Sequence, residues 1–155
     1  LDINNCLPEA LARIKPDIVI HTSGPFQGQD YDLAEACIAQ GCHYIDLADG
    51  RGFVEGITAL DEQAKAKGVM VISGASSVPC LTSALVDHYR AEFKTLESLD
   101  YGITTAQKTN RGLATTAAIL SYTGKPFPTL VDGKMKTVYG WQGLRARKYQ
   151  TSLTY

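Results

Sequence analysis

Three short segments hold the side chains that could do chemistry: Ser23-Gly24-Pro25, then Asp46 with Asp49 and Arg51, and Gly74-Ala75-Ser76-Ser77. Glycine at 24 leaves the backbone bare, so a flat or bulky ligand could approach it, and Pro25 stiffens the loop without needing a bonded N–H. A plain Gly-Pro turn is the competing reading. Asp46, Asp49 and Arg51 could hold a ribose, a substrate carboxylate or one another, with a solvated surface pair as the alternative. The stretch Ser73 to Pro79 leads into an expected helix, whose free N–H groups would favour an anionic or polar ligand.

The remaining reactive types carry less. His21, late in an apolar run, and His43, opening another, read as core or strand-end histidines satisfied by hydrogen bonds rather than as bases. His88, among Asp87 and Arg90, reads as surface. Ser76 and Ser77 sit in no G-x-S-x-G elbow, so nucleophilic catalysis has little support. Cys6, Cys37, Cys42 and Cys80 form no C-x-x-C pair and read as reduced, mostly buried thiols, with no metal site. The sequence assigns no catalytic acid or base.

The elements that must position these segments follow from periodicity. Leu7, Leu11 and Ile14 make the stripe of a first helix, capped by Asn5 or Cys6 and ended by Pro16. Residues 17–22 read as a strand covered on both faces, and a helix from about Tyr31 to Gln40 stops at Gly41. His43 to Leu47 is a short strand, Phe53 to Lys67 an amphipathic helix, Val69 to Ile72 a strand, and Pro79 to about Phe93 a helix carrying Leu81, Leu85 and Tyr89. Such alternation implies parallel strands joined by crossover helices, with their following loops gathered at one edge. Beyond residue 95 the pattern changes. Leu99, Tyr101 and Ile103 alternate as in a one-faced strand, Gly112 to Tyr122 reads as a small-residue helix, and Asp132-Gly133 reads as the turn of a hairpin.

Composition sets the frame. Of 155 residues, 45% are hydrophobic and 20% charged, an ordinary globular balance. Fifteen basic against sixteen acidic residues leave a net charge of -1 without like-charge blocks, so neither nucleic acid nor an anionic membrane is expected as a partner. No run approaches the ~20 apolar residues of a membrane span, and the first residues do not resemble a signal peptide, which makes the cytoplasm the default compartment.

Four strings, "VIHTSGPFQGQ", "ACIAQGCHYIDLADG", "GVMVISGASSVPCLTSALVD" and "GKPFPTLVDGKMKTVYGW", together resemble the saccharopine dehydrogenase-like oxidoreductases. The resemblance implies an α/β fold: the C-terminal half of a doubly wound Rossmann-type parallel sheet over residues 1–94, then the start of an α+β substrate and dimerisation domain over 95–155. It implies NAD or NADP as cofactor, a small-molecule substrate and hydride transfer between them. Carried over by position, Ser23, Gly24, Pro25, Asp46, Gly74, Ala75, Ser76 and Ser77 face the cofactor, while Asp49 and Arg51 are candidate substrate contacts. Many relatives have asparagine at the position of His21 and T-G-E where this chain has Ala48-Asp49-Gly50. No G-x-G-x-x-G follows a strand, so the resemblance also implies a fragment lacking the first βαβ unit and binding dinucleotide weakly. A noncatalytic dinucleotide-binding or assembly module on the same scaffold is the rival reading. A homo-oligomer built through the C-terminal segment, with Tyr139 and Trp141 near the contact, is expected.

Overall fold

The computed structural model describes residues 3, 7–103, 112–144 and 146; the expected cap at Asn5 or Cys6, and the thiol of Cys6, lie outside them. The chain divides into two compact units, 1–118 and 119–155.

In the first unit, α1 (Leu7–Ile14) leads to β1 (Ile18–His21), α2 (Asp32–Ala39), β2 (His43–Asp46) and α3 (Arg51–Gly56). A tight turn at Ile57–Leu60 joins α3 to α4 (Asp61–Lys67), followed by β3 (Val71–Ile72) and α5 (Thr82–Tyr89). The three strands form one sheet in the order β1-β2-β3, parallel throughout, with Ile18 beside His43, His21 beside Asp46 and Tyr44 beside Val71. Parallel neighbours cannot be joined by a hairpin, which is why a helical crossover separates each pair.

Successive residues of a strand face opposite sides of the sheet. On one side Tyr44 is buried against Leu33, Cys37, Ile38, Phe53 and Leu60, with Val19 and Val71 partly buried beside it. Each such Leu, Ile or Phe, fully buried, is worth about 1.5–3 kcal/mol. On the other side Ile18, Ile20 and Ile72 are exposed, Ile20 by 61%. Coverage of β1 on both faces, expected from its apolar run, is therefore not found, because the helices around Tyr44 protect one face.

The expected helix over 53–67 is broken in three. Tyr31 donates its hydroxyl to the Phe53 carbonyl at 2.9 Å and crowds Gly56, where any side chain would collide with that hydroxyl. A glycine inside a helix already weakens it, and the chain tightens to i→i+3 geometry over the next residues. Gly68 then closes α4 at φ +66. The helix expected from Pro79 is found: a widened helical turn over Ser77–Leu81, in which only Val78 is extended, leads without a break into α5. Ile14, Leu81, Leu85 and Tyr89, expected to face inward, are exposed. Leu99, Tyr101 and Ile103 do not form the expected strand: no ladder partner lies beside them among the described residues, and their side chains are exposed. Alternation records two unlike faces, but a strand also needs a neighbour for its backbone groups.

Helix α6 (Leu113–Ser121) spans the boundary between the units. In the second unit, β4 (Pro126–Val131) and β5 (Lys134–Tyr139) pair antiparallel, from Pro126 opposite Tyr139 to Val131 opposite Lys134. Asp132 at φ 52 and Gly133 at φ 71 make the two-residue turn whose twist suits a hairpin. At the base of the hairpin Gly140 lies against the Tyr122 carbonyl, where a side chain would clash.

Candidate functional site

The three parallel strands end at one edge, and their following loops meet there. Asp46, the last residue of β2, ties them together. Its Oδ1 accepts the Ala48 and Gly74 N–H groups and the Ser73 hydroxyl, each at 2.9 Å, and its carbonyl accepts the Ala75 N–H at 2.9 Å. The Leu47 N–H reaches back to the His21 carbonyl at 3.2 Å. Asp46 is fully buried, a placement that a carboxylate sustains through such charge-assisted bonds.

Beside it on β1, His21 is buried, with Nδ1 2.9 Å from the Tyr44 hydroxyl. Burial lowers the His21 pKa below its ordinary 6.5, opposed by the Asp46 carboxylate and the Ser23 carbonyl. Burial pushes the Tyr44 phenol well up, and the neighbouring Asp46 carboxylate adds to the effect. His21 Nε2 and Asp46 Oδ2 are buried without a protein partner.

The loop after β1 is held by its own side chains. Gln29 donates to the carbonyls of Ser23 at 2.9 Å and Pro25 at 2.8 Å, and Phe26 packs its ring 4.9 Å from His21 and 5.4 Å from Phe53. Gln27 donates to Asp49 Oδ1 at 3.0 Å, bridging the first and second loops. Gly24–Pro25 and Val78–Pro79 are cis peptides. Beneath the first loop lies a cleft of about 700 Å³ whose walls include His21, Tyr44, Gln29, Asp30 and Asp32.

The sequence-predicted residues distribute unevenly. Asp46, Gly74 and Ala75 come together, joined directly by hydrogen bonds. Ser23, Gly24 and Pro25 stand at the end of β1, and Asp49 and Arg51 lie exposed at the entry to α3. Ser77 begins the widened helical turn that joins the third loop to α5. The loop thus passes through extended Val78 directly into the helical backbone that leads to α5. The N–H groups of Gly74, Ala75 and Ser76 are already bonded, to Asp46 Oδ1, the Asp46 carbonyl and the Gly74 carbonyl. His43 behaves as a satisfied strand-end histidine, its Nδ1 accepting the Met70 N–H at 2.9 Å. Cys37 and Cys42 are buried thiols, but Cys80 is exposed rather than buried.

Tyr44, Gln29 and the open nitrogen of His21 were missed by sequence reasoning. The one signal for them was the pairing of two apolar strands that each end in a polar residue, His21 and Asp46. Among the described residues no group of three His, Cys, Asp or Glu side chains could hold a metal ion, and no helix is long and apolar enough to cross a membrane.

Whether these loops suit a dinucleotide can be read from the glycines and donors. At Gly24 neither the backbone angle nor the packing demands glycine: an added Cβ would meet only the Phe26 ring and backbone at 3.7–3.9 Å. That open space suits a flat ring or ribose. The bonded amides of Gly74, Ala75 and Ser76 do not suit a phosphate, which needs free N–H groups. The edge therefore fits a nicotinamide dinucleotide as a side wall, not as a pyrophosphate cradle.

No curated protein matches the chain. Residues 2–72 match the family model described as the saccharopine dehydrogenase NADP binding domain, which supports NAD or NADP as the cofactor. That segment contains β1, β2, Asp46 and the loops after both strands, and its match supports a saccharopine dehydrogenase-like family.

Proposed function

We propose that this chain supplies one wall of the dinucleotide cleft of an NAD(P)-dependent oxidoreductase that transfers a hydride between the cofactor and a small-molecule substrate. The observation that carries the reading is the set of three strand-end loops tied at one sheet edge by Asp46, the first two of them within the segment that matches an NADP-binding domain. Ligands of open α/β sheets bind outside the carboxyl ends of the strands.

Ser23, Gly24 and Pro25 would press on the cofactor from one side, and Gly74, Ala75, Ser76 and Ser77 from the other, with Asp46 fixing the distance between the two loops. When bound, the nicotinamide supplies the hydride chemistry. The protein's part is orientation: Asp46 holds the loops, and Gln29 and Phe26 keep the first from collapsing into the space a ring would take. Asp49 and Arg51, at the mouth, are placed to meet the substrate's polar end.

In this reading residues 1–94 are the C-terminal half of a doubly wound sheet, a role that the parallel order and the uncovered Ile18, Ile20 and Ile72 support. Residues 95–155 begin an α+β domain for substrate and dimerisation, and the chain assembles as a homo-oligomer through it. An isolated two-stranded hairpin is marginal in water. Here the cross-strand neighbours Leu130 and Met135 are 66% and 64% exposed, and Tyr139 and Trp141 are also exposed, which supports an apolar contact surface.

Titration of the chain with NADH or NADPH tests the cofactor role. Because the Gly74, Ala75 and Ser76 amides are bonded internally and the sequence has no G-x-G-x-x-G, binding should saturate only at millimolar cofactor. Micromolar affinity would contradict this placement.

A further inference from the structure

Two thiols meet where α2 ends and β2 is about to begin. The Cys42 N–H donates to the Cys37 carbonyl at 2.9 Å and the Gly41 N–H to the Ile38 carbonyl at 3.0 Å, with Gly41 left-handed at φ 71. These two bonds close a helix C-terminus in the arrangement that sets the side chains at its two ends against each other, here Cys37 and Cys42. Both are buried in the same apolar cluster, and each is a free thiol.

The backbone bond limits how far apart they can stand. With nitrogen and oxygen 2.9 Å apart, standard bond lengths keep the two Cα atoms within about 6.8 Å. A disulfide spans Cα separations of roughly 4.4–6.8 Å, so no shift of the chain is needed to bridge them. Ala39, Gln40 and Gly41, which lie between them in sequence, are exposed, so the pair sits beneath a surface turn at a helix end, where fraying admits small molecules. Burial raises both thiols, so each ionises rarely, and reaction waits on such opening.

We propose that Cys37 and Cys42 are a modification site, a dithiol that a small peroxide converts to a disulfide stapling the end of α2 to the start of β2. One sulfur, as thiolate, attacks a peroxide oxygen; the O–O bond breaks, the sulfur becomes S–OH, and the other oxygen leaves as water once protonated. The second sulfur then attacks the first. The S–S bond forms as the S–O bond breaks, and that oxygen leaves as a second water with the second thiol's proton, so peroxide is reduced and the two sulfurs are oxidised. The site is separate from the cofactor reading and does not depend on it.

The test uses the full chain carrying Cys6→Ser and Cys80→Ser, which leaves only the pair. Millimolar hydrogen peroxide followed by intact mass spectrometry should show loss of two hydrogens, reversed by dithiothreitol, in a protein that stays monomeric under non-reducing denaturing electrophoresis. Equilibration against glutathione and its disulfide then gives the pair's effective concentration, which should be about tenfold or more higher in the folded chain than in urea, because the fold already holds the two ends together. Addition of oxygen without loss of hydrogens, a disulfide-linked dimer, no reaction, or an effective concentration in the folded chain no higher than in urea would overturn the proposal.

Discussion

Replacing Asp46 should loosen the whole strand-end edge. In Asp46→Ala the Ala48 and Gly74 N–H groups and the Ser73 hydroxyl lose the acceptor they share at 2.9 Å. Ser73 is half-buried and can turn to water, but the two amide bonds are buried. A buried donor left unpaired costs about 1–3 kcal/mol, so the variant should lose about 3–5 kcal/mol once the weaker hydroxyl loss is added. Asp46→Asn keeps a carbonyl oxygen for the amides and should lose about 1–2 kcal/mol, since only the charge assistance goes. Urea unfolding of the three proteins gives the totals, and hydrogen exchange at the Ala48 and Gly74 amides locates them. Protection there should fall by about a hundredfold or more in Asp46→Ala, the equivalent of about 3 kcal/mol at 1.4 kcal/mol per decade. An Asp46→Ala protein within about 0.5 kcal/mol of the parent, with both amides still protected, would refute the reasoning.

Further outcomes follow from other parts of the molecule. Gly74→Ala places a Cβ at φ +76 and 3.2 Å from the Pro79 ring, and should cost about 1–2 kcal/mol by the same urea measurement, with a neutral result counting against the loop geometry. His21 has its folded pKa below the unfolded 6.5, so below that pH the unfolded chain takes up a proton that the folded chain refuses. Stability should therefore drop as pH falls from 6.5 toward the lowered folded value, and the drop should shrink in His21→Gln; equal slopes in the two proteins would remove the burial argument. Cys37 is buried and its thiol is pushed up to about 12 by that burial and by Cys42 beside it, whereas Cys80 is exposed. Brief alkylation followed by mass spectrometry should mark Cys80 well before Cys37 or Cys42, and early marking of Cys37 would mean that the α2 packing opens readily. Leu130→Lys, which puts a charge on the exposed hairpin face, should shift light-scattering mass from oligomer to monomer, and a parent chain that is already monomeric would end the oligomer proposal.

What was legible in the sequence was what local chemistry decides. Ile18-Val19-Ile20 and His43-Tyr44-Ile45, each closed by a polar residue, announced parallel strands, and Asp132-Gly133 announced a hairpin because both turn residues need positive φ. What distant residues decide was hidden. The break after Gly56 depends on Tyr31, 22 residues from the Phe53 carbonyl it holds. Asp46 was chosen as a cofactor contact, yet its carboxylate is bonded by Ser73 and Gly74, 27 and 28 residues away, which no periodicity records. The alternation at Leu99, Tyr101 and Ile103 suggested a strand because pattern registers unlike faces without registering whether a neighbour exists.

The central claim, that the three loops form one wall of a dinucleotide cleft, is tested most directly by mapping backbone amide shifts while NADPH is added to the full chain. The account predicts shifts confined to residues 23–25, 46–51 and 74–77, growing without saturation until the cofactor reaches millimolar concentration. Shifts centred elsewhere, saturation at micromolar cofactor, or no response at tens of millimolar would contradict it.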